Sequence, residues 1–572
     1  MLNKLGPLAK RVAVLASTLG IVPLVLTGGC LVALVTLVYA GLAAAILVNW
    51  IVWISLLLLA GYMAVSESAV SALGKSMAPI WAQALPQRVL VLVLVLIFAP
   101  AHWMTVVAVI VLGLCLCLEI PILRLARLRP IAANVPGWEA TPPPKQLVDA
   151  GYWAGLAFTA LSWLAVNLSW PAWTLLAIAI VNLAFLAEVG VQAALFITKR
   201  TRLERRLPKI IAELAPQFVL HWHAPAGTAY QVKMWLPYLD RIGVPYFVLV
   251  RSIGNFEEVS TLTKAPIIVI DGLEALDDII CDSLKVAFYV NTATRNDHML
   301  RFTQLKHIQL NHGDSDKAAS FNPVFRAYDK NFVAGQAAVD RFAANGVWMP
   351  REMFEIVGRP QVEDVTQAVK PIGEISAPTV LYAPTWSGYY ADSDYSSLPA
   401  GVEIVDALIA RGCTVIFRPH PYSRRKAANA KACDAIIARL RADAHASDRV
   451  HIFGEEAERT WSVFDCFNAS DAMISDVSSV VNDYLFSEKP FAMTAVSVPV
   501  MEFIEEFPIA KASYVIDCHK GKLKGLDDAL DTLLKTDPFH DQRLEARRYY
   551  LGEIPTQGYS DHFLAVCREL LA

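Results

Sequence analysis

Charge is scarce in this chain. Only 18% of its 572 residues are Asp, Glu, Lys or Arg, below the roughly 25% of an ordinary soluble protein. Hydrophobic residues make up 55%, and the excess lies before Thr201. The chain therefore reads as a membrane part followed by a soluble part. A net charge of −3 supplies no cationic face for nucleic acid, and no nucleic-acid partner is expected. The nine cysteines include no C-x-x-C pair. The closest two, Cys115 and Cys117, sit inside an apolar run. This spacing excludes a zinc ribbon and argues against a disulfide framework, so a reduced, cytosolic setting fits the soluble part.

What is present begins with apolar runs over 12–36, 40–65, 88–99, 102–123, 152–170 and 172–197. Most approach the about 20 residues that cross a bilayer as helix, which predicts about six spans. The run at 88–99 ends at Pro100 and is either a re-entrant segment or a span that starts earlier. The basic start before the first run resembles a signal peptide, but the run is too long and others follow, so it is read as retained. Basic residues cluster at Lys4, Lys10 and Arg11, at Arg124, Arg127 and Arg129, and from Lys199 to Arg206. The positive-inside rule places all three clusters, and the soluble part, on the cytoplasmic side of a multi-pass cell-membrane protein. Glu188 falls in the last run and is read as a packing carboxyl, bonded to Asn182 or a neighbouring helix, ahead of an ion-pathway residue.

From about residue 210 short apolar segments alternate with helical ones. Strands are expected at 218–222, 245–250, 266–270, 286–290, 307–310, 331–335 and 354–358, then at 379–383, 414–420, 450–453, 472–476 and 491–494. Buried strands separated by helices predict parallel sheets covered on both faces. The expected fold class is an α-helical multi-span membrane region followed by an α/β, GT-B-like pair of Rossmann-type domains. The boundaries are 1–200 for the membrane domain, 208–370 for the first Rossmann-like domain and 371–572 for the second. Ligands of such folds gather in loops at the carboxyl ends of strands.

Four polar loops stand at those ends. His312 and Gly313 follow the fifth segment; histidine suits proton transfer near neutral pH, and glycine lets a ligand approach the backbone. YAPTW at 382–386 offers Thr385 as a phosphate contact and Trp386 as either a cleft wall or core packing. RPHP at 418–421 offers Arg418, able to fork two hydrogen bonds to phosphate, and His420, able to donate to a phosphate or a leaving group. SDVSS at 475–479 offers Asp476, Ser478 and Ser479 before a helical run, as a phosphate site or as a simple N-cap. Asp314 and Asp316 are read as helix-start residues beside Lys317, with metal binding as the lesser alternative. His221 and His223 end the first strand, with Gly227 and Thr228 in the next turn, and that loop could face an acceptor.

The ordered series HG, YAPTW, RPHP and SD-x-SS, over roughly residues 300–500, resembles the CDP-glycerol glycerophosphotransferase family, which includes teichoic acid polymerases and primases. The resemblance implies transfer of a polyol phosphate from a CDP-alditol to a hydroxyl of a lipid-linked or glycan acceptor, with release of CMP. It implies His312 as base and His420 as a second catalytic group. Gly313, Thr385, Arg418, Asp476, Ser478 and Ser479 become substrate-binding residues. The expected partners are the CDP-alditol donor, the acceptor and membrane lipids; no cofactor is expected, and a divalent-cation requirement stays open. The chain departs from the family pattern at Asp314-Ser315, where Thr-Pro is common, and at Val477, where tyrosine is usual. Two other readings remain: a GT-B glycosyltransferase using a nucleotide sugar, and a transporter or lipid-binding protein with an inactive transferase domain.

Overall fold

The computed structural model describes residues 27–28, 42–72, 78–126, 131–139, 145–316, 318–388 and 394–572. They form two compact units, one of 1–210 with 266–269, the other of 211–265 with 270–572. The expected span at 12–36, the basic residues before it, Arg127, Arg129 and Lys317 lie outside the described residues.

In the first unit the described helices are α1 (Leu42–Ala72), α2 (Ala78–Phe98), α3 (Trp103–Ala126), α4 (Lys145–Asn167) and α5 (Ala172–Leu214). Three stretches among the described residues are long and apolar enough to cross a membrane: Ile46–Ser66, Trp103–Ala126 and Ala172–Leu214. Ala84–Phe98 is apolar but shorter. Of the six expected spans, five fall on described residues, and three of those five are long and apolar enough to cross a membrane. The run at 152–170 forms α4, whose polar amino-terminal turn dilutes it, and the run at 88–99 is the end of α2.

An ion pair lies among the apolar helices, and Glu188 is not part of it. Arg88 on α2 and Glu119 on α3 form a two-pronged ion pair at 2.9 and 2.7 Å. Both side chains are buried, and Arg88 Nε donates to Thr159 Oγ1 of α4 at 3.2 Å. Gly155 makes room for the pair, since a Cβ there would stand 2.5 Å from Arg88 Nη2. Glu188, in contrast, is exposed and accepts from Gln192 Nε2 on its own helix at 2.8 Å. Among the described residues it bonds neither Asn182 nor a neighbouring helix.

The second unit carries two parallel sheets. Strands β1 (Phe218–Trp222), β2 (Tyr246–Val250), β3 (Val286–Tyr289), β4 (Lys306–Gln309), β5 (Lys330–Val333) and β6 (Phe354–Ile356) pair in the order β2-β1-β3-β4-β5-β6. The segments of β1, β2 and β3 are largely apolar and buried at every position, as strands covered on both faces must be. Strands β7 (Thr379–Ala383), β8 (Thr414–Phe417), β9 (Ala472–Ser475), β10 (Phe491–Ala495) and β11 (Tyr514–Asp517) pair in the order β8-β7-β9-β10-β11.

Three expectations change. Ile267–Val269 pairs antiparallel with Ala132–Ala133 and belongs to the first unit. The segment at 450–453 is reduced to a bridge between Ile416 and Ile452, because the His451 ring, through Nδ1, takes the Val415 N–H at 2.9 Å. Strand β11, with a charged residue at its end, was not anticipated.

The strands of the first sheet end before residue 371 and those of the second begin after it, while the end of the chain returns to the first sheet. Helices α7 (His540–Leu551) and α8 (Tyr559–Leu571) follow the second sheet but pack on the first. Phe563 meets Trp235 and Phe332 at 5.4 and 6.2 Å between ring centroids. Gly335 allows the main chain of α7 to approach, since a Cβ there would lie 2.5 Å from the Tyr549 carbonyl oxygen. The second unit thus holds both sheets, with the end of the chain folded back onto the first.

Candidate functional site

Beyond β4 the chain turns through Asn311, whose φ of 56° lies in the left-handed region that asparagine tolerates better than most residues. Three hydrogen bonds fix this turn. Asn311 N–H donates to Gln309 Oε1 at 2.9 Å, His312 N–H to Asn311 Oδ1 at 2.9 Å, and Trp235 Nε1–H to the Asn311 carbonyl at 2.6 Å. The His312 ring is thereby held with Nδ1 at 2.8 Å from the carbonyl oxygen of Val290, at the end of β3. A carbonyl only accepts, so Nδ1 carries the proton and Nε2 carries the lone pair. Burial holds the His312 pKa below the usual value; the Val290 carbonyl opposes that shift and the Arg359 charge adds to it. The ring is a neutral base at physiological pH.

Gly313 brings this loop against the second sheet. A Cβ at 313 would lie 3.3 Å from Ser479 Oγ and 3.4 Å from its Cβ. Ser479 opens the short helix α6 (Ser479–Tyr484), and Ser478 is its N-cap, accepting from Val480 N–H at 3.4 Å. The capping reading of Ser478 is thus realised. Both serines remain partly exposed, beside the His312 loop.

Asp476 is corrected from a substrate contact to a positioning residue. It is fully buried, where its charge would repel a phosphate if one could reach it. Its Oδ2 accepts Thr385 N–H at 2.7 Å and Ser397 N–H at 3.1 Å, and its Oδ1 accepts the Thr494 hydroxyl. Burial raises its pKa to about 6, against the lowering effect of these donors. Thr385 is itself buried, so it supports the YAPTW loop and does not present its side chain to solvent. Val477 is buried in the apolar core of the same sheet, a packing role.

Arg418 is likewise turned inward. Its Nη1 donates to the carbonyls of Ala457 and Trp461, the latter at 2.9 Å. A fork that uses this nitrogen on phosphate is excluded, and the guanidinium braces the loop that carries His420. His420 N–H donates to the Pro384 carbonyl at 3.0 Å, and its ring Nδ1 accepts from Tyr422 N–H at 3.1 Å. A neutral His420 must then hold its proton on Nε2. Trp386 stacks on this ring at 6.0 Å and meets Tyr422 edge-on at 5.4 Å. The tryptophan is a wall of the histidine's site. The two histidines are complementary tautomers, one with an accepting Nε2 and one with a donating Nε2.

Asp314 and Asp316 precede a short 3-10 helix, Ala318–Phe321, and their carboxylates are held by an ion pair. Both pair with Arg341, Asp316 at 2.9 Å, and Tyr550 of α7 donates to Asp316 at 3.1 Å. The guanidinium bridges the two carboxylates. Among the described residues no group of three or more His, Cys, Asp or Glu side chains is placed to hold a metal.

Arg359 escaped the sequence reading. It follows β6 at a strand end, the rule that picked out the other loops, and its Gly-Arg-Pro context was a usable signal. Its Nε donates to Asp483 Oδ1 of α6 at 3.0 Å, with both side chains buried. This pair fastens the first sheet to the helix that bears Ser479.

Residues 256–498 match the family model described as CDP-Glycerol:Poly(glycerophosphate) glycerophosphotransferase. No curated protein matches the chain. Among solved structures the chain is similar to the wall teichoic acid polymerase TagF, with 12% identity and a TM-score of 0.41 over 66% of this chain and 94% of that one. An S. aureus MnaA–UDP co-structure gives 12% identity and a TM-score of 0.41 over 62% and 97%. A glycosyltransferase from Rickettsia africae gives 13% and 0.41 over 62% and 99%.

Proposed function

We propose, from the match of residues 256–498 to the CDP-glycerol glycerophosphotransferase family model, that the protein is such a transferase and moves a polyol phosphate from a CDP-alditol to a hydroxyl of a cell-envelope acceptor, at the cytoplasmic face of the membrane. The observation that carries the reading is the pair of opposed histidine tautomers, His312 with a bare Nε2 and His420 with a protonated one.

In the proposed reaction the acceptor hydroxyl attacks the β-phosphorus of the donor. His312 Nε2 takes the hydroxyl proton as the new O–P bond forms. The bond from β-phosphorus to the bridging oxygen breaks, and the electron pair leaves with CMP. His420 Nε2–H donates a hydrogen bond to the departing phosphate, where negative charge accumulates. Positioning and charge stabilisation of this kind supply most of the rate in phosphoryl transfer. Ser478 and Ser479 hydroxyls line the donor side, while Asp476, Thr385 and Arg418 hold the loops. The apolar helices of the first unit keep the catalytic unit beside lipid-linked acceptor and membrane lipids.

Incubation with CDP-glycerol and, separately, with UDP-sugars tests this. Release of CMP with CDP-glycerol supports the proposal; UDP release alone would return the protein to the nucleotide-sugar glycosyltransferases.

A further inference from the structure

A second group of nitrogen-bearing side chains follows the carboxyl ends of β2 (Arg251), β1 (His223) and β3 (Arg295 and His298), along the sheet edge that also carries His312. Arg251 directly follows β2 and is fully buried. Its Nη2 donates to the carbonyl of Gly272 at 3.0 Å and approaches that of Asp271 at 3.2 Å and His298 Nδ1 at 3.1 Å. Its Nε and Nη1 have no hydrogen-bond partner among the described residues, and no carboxylate bonds to it. Arg295 bonds the Arg251 carbonyl at 2.8 Å and pairs with Asp271, so the nearest carboxylate is already committed. Asp297 stands 3.8 Å from the His298 ring but is largely exposed.

Burial and Arg295 lower the Arg251 pKa to about 10, outweighing Asp271 and Asp297, which favour its charge from a distance, and a buried guanidinium with no carboxylate bonded to it is costly. Its field is registered by its neighbours. Burial and then Arg251 push His221 well below its usual pKa, and burial, Arg295 and Arg251 lower His223. The rim is open to solvent, because the side chains of Arg295 and His298 are 34% and 32% exposed. Such a rim over a buried cation with two unpartnered nitrogens fits a dianion or a diester anion that accepts charge-assisted hydrogen bonds.

We propose that Arg295, His298 and His223, above Arg251, form a binding subsite for a phosphate group of the acceptor. The subsite's place in the sheet sets the reach. From β2 to β4 the order is β2-β1-β3-β4, three strand spacings, or about 14 Å at ~4.8 Å each. A phosphate held there belongs to an inner unit of a growing polyol-phosphate chain whose terminal hydroxyl lies at His312. The assignment to the acceptor rests on the transferase reading above; the affinity for phosphate does not.

The full chain in detergent, saturated with CMP to fill the donor side, is titrated with inorganic phosphate and with glycerol phosphate while histidine pKa values are followed by NMR. Phosphate should bind, raise the His223 pKa and lose about tenfold in affinity in Arg295→Gln, as for loss of a charge-assisted contact. Arg439→Gln, a distant exposed cation, controls for net charge. Equal affinity in Arg295→Gln and the parent, or binding abolished by CMP, overturns the subsite. In a second arm, Arg295→Gln should raise KM for acceptors that carry an inner phosphate and leave KM for uncharged glycerol-ended acceptors and for CDP-glycerol unchanged. A KM increase shared by charged and uncharged acceptors overturns the acceptor assignment and leaves the phosphate titration to decide the site. Absence of all turnover with CDP-glycerol refutes the transferase reading instead, and the phosphate titration again stands alone.

Discussion

Gly313 stands against Ser479 with space for a hydrogen and little more, since a methyl carbon at 313 would lie 3.3 Å from Ser479 Oγ. The base-bearing loop of one sheet and the serine-bearing loop of the other meet at this contact. Gly313→Ala should therefore displace Ser479 by a few tenths of an ångström and lower kcat by about tenfold, because misplacement of reacting groups is costly in rate. Thermal stability should change little. Adding Ser479→Gly removes the opposing side chain and should restore part of the space, so a double-mutant cycle on kcat reads the coupling. Strict additivity would show that the contact has no consequence for the reaction.

His312→Asn should reduce CMP release by about 10²–10⁴-fold, the usual contribution of a general base, with the KM for CDP-glycerol nearly unchanged. The pH profile carries a sharper sign. Because burial and Arg359 lower the His312 pKa, the acid limb of kcat/KM should fall below pH 6.5. A limb above that value would show that His312 is not the titrating base.

Asp476 makes a stability prediction of definite sign. Its pKa is near 3.8 unfolded and about 6 folded, so the folded state holds the proton more tightly. The stabilisation is complete below about pH 4 and is lost as pH rises through 6, on the order of 3 kcal/mol. Asp476→Asn should abolish that slope. The asparagine oxygen can accept from Thr385 and Ser397 N–H, and its amide can donate to a reversed Thr494 hydroxyl, so the fold should survive. Asp476→Ala leaves two buried N–H groups unpaired and should cost about 2–4 kcal/mol. Chemical denaturation between pH 4 and 8 reads all three proteins.

In the first unit, Arg88→Ala should destabilise by about 3–5 kcal/mol because it strands Glu119, whereas Arg88→Met with Glu119→Leu should cost much less. Gly155→Ala should resemble the single substitution, since its methyl enters the pair. Melting in detergent distinguishes these outcomes; equal melting for Arg88→Ala and the double variant would show that the ion pair is not coupled.

Much of this architecture was legible before the structure. The unbroken apolar segments FVLHW and TVLYA form β1 and β7 at the expected residues, because burial on both faces leaves a plain signal. The loops bearing His312, His420 and Ser479 were legible for the same reason, as polar breaks at strand ends. Direction was not. Whether Arg418 faces phosphate or the carbonyls of Ala457 and Trp461 depends on residues some 40 positions away. Asp314, which departs from the family pattern, is explained by Arg341, 27 positions on. Arg88 was hidden because a charge at the edge of an apolar run reads as a boundary, and its partner Glu119 lies on another helix.

Phosphorus, not carbon, is the atom attacked in this account. CDP-glycerol labelled with ³²P at the β-phosphate alone tests that most directly, in the presence of a glycerol-ended acceptor. The account predicts that the label moves to the acceptor while the released nucleotide is unlabelled CMP, and that His312→Asn suppresses the movement. Release of labelled CDP, with glycerol alone on the acceptor, would contradict it.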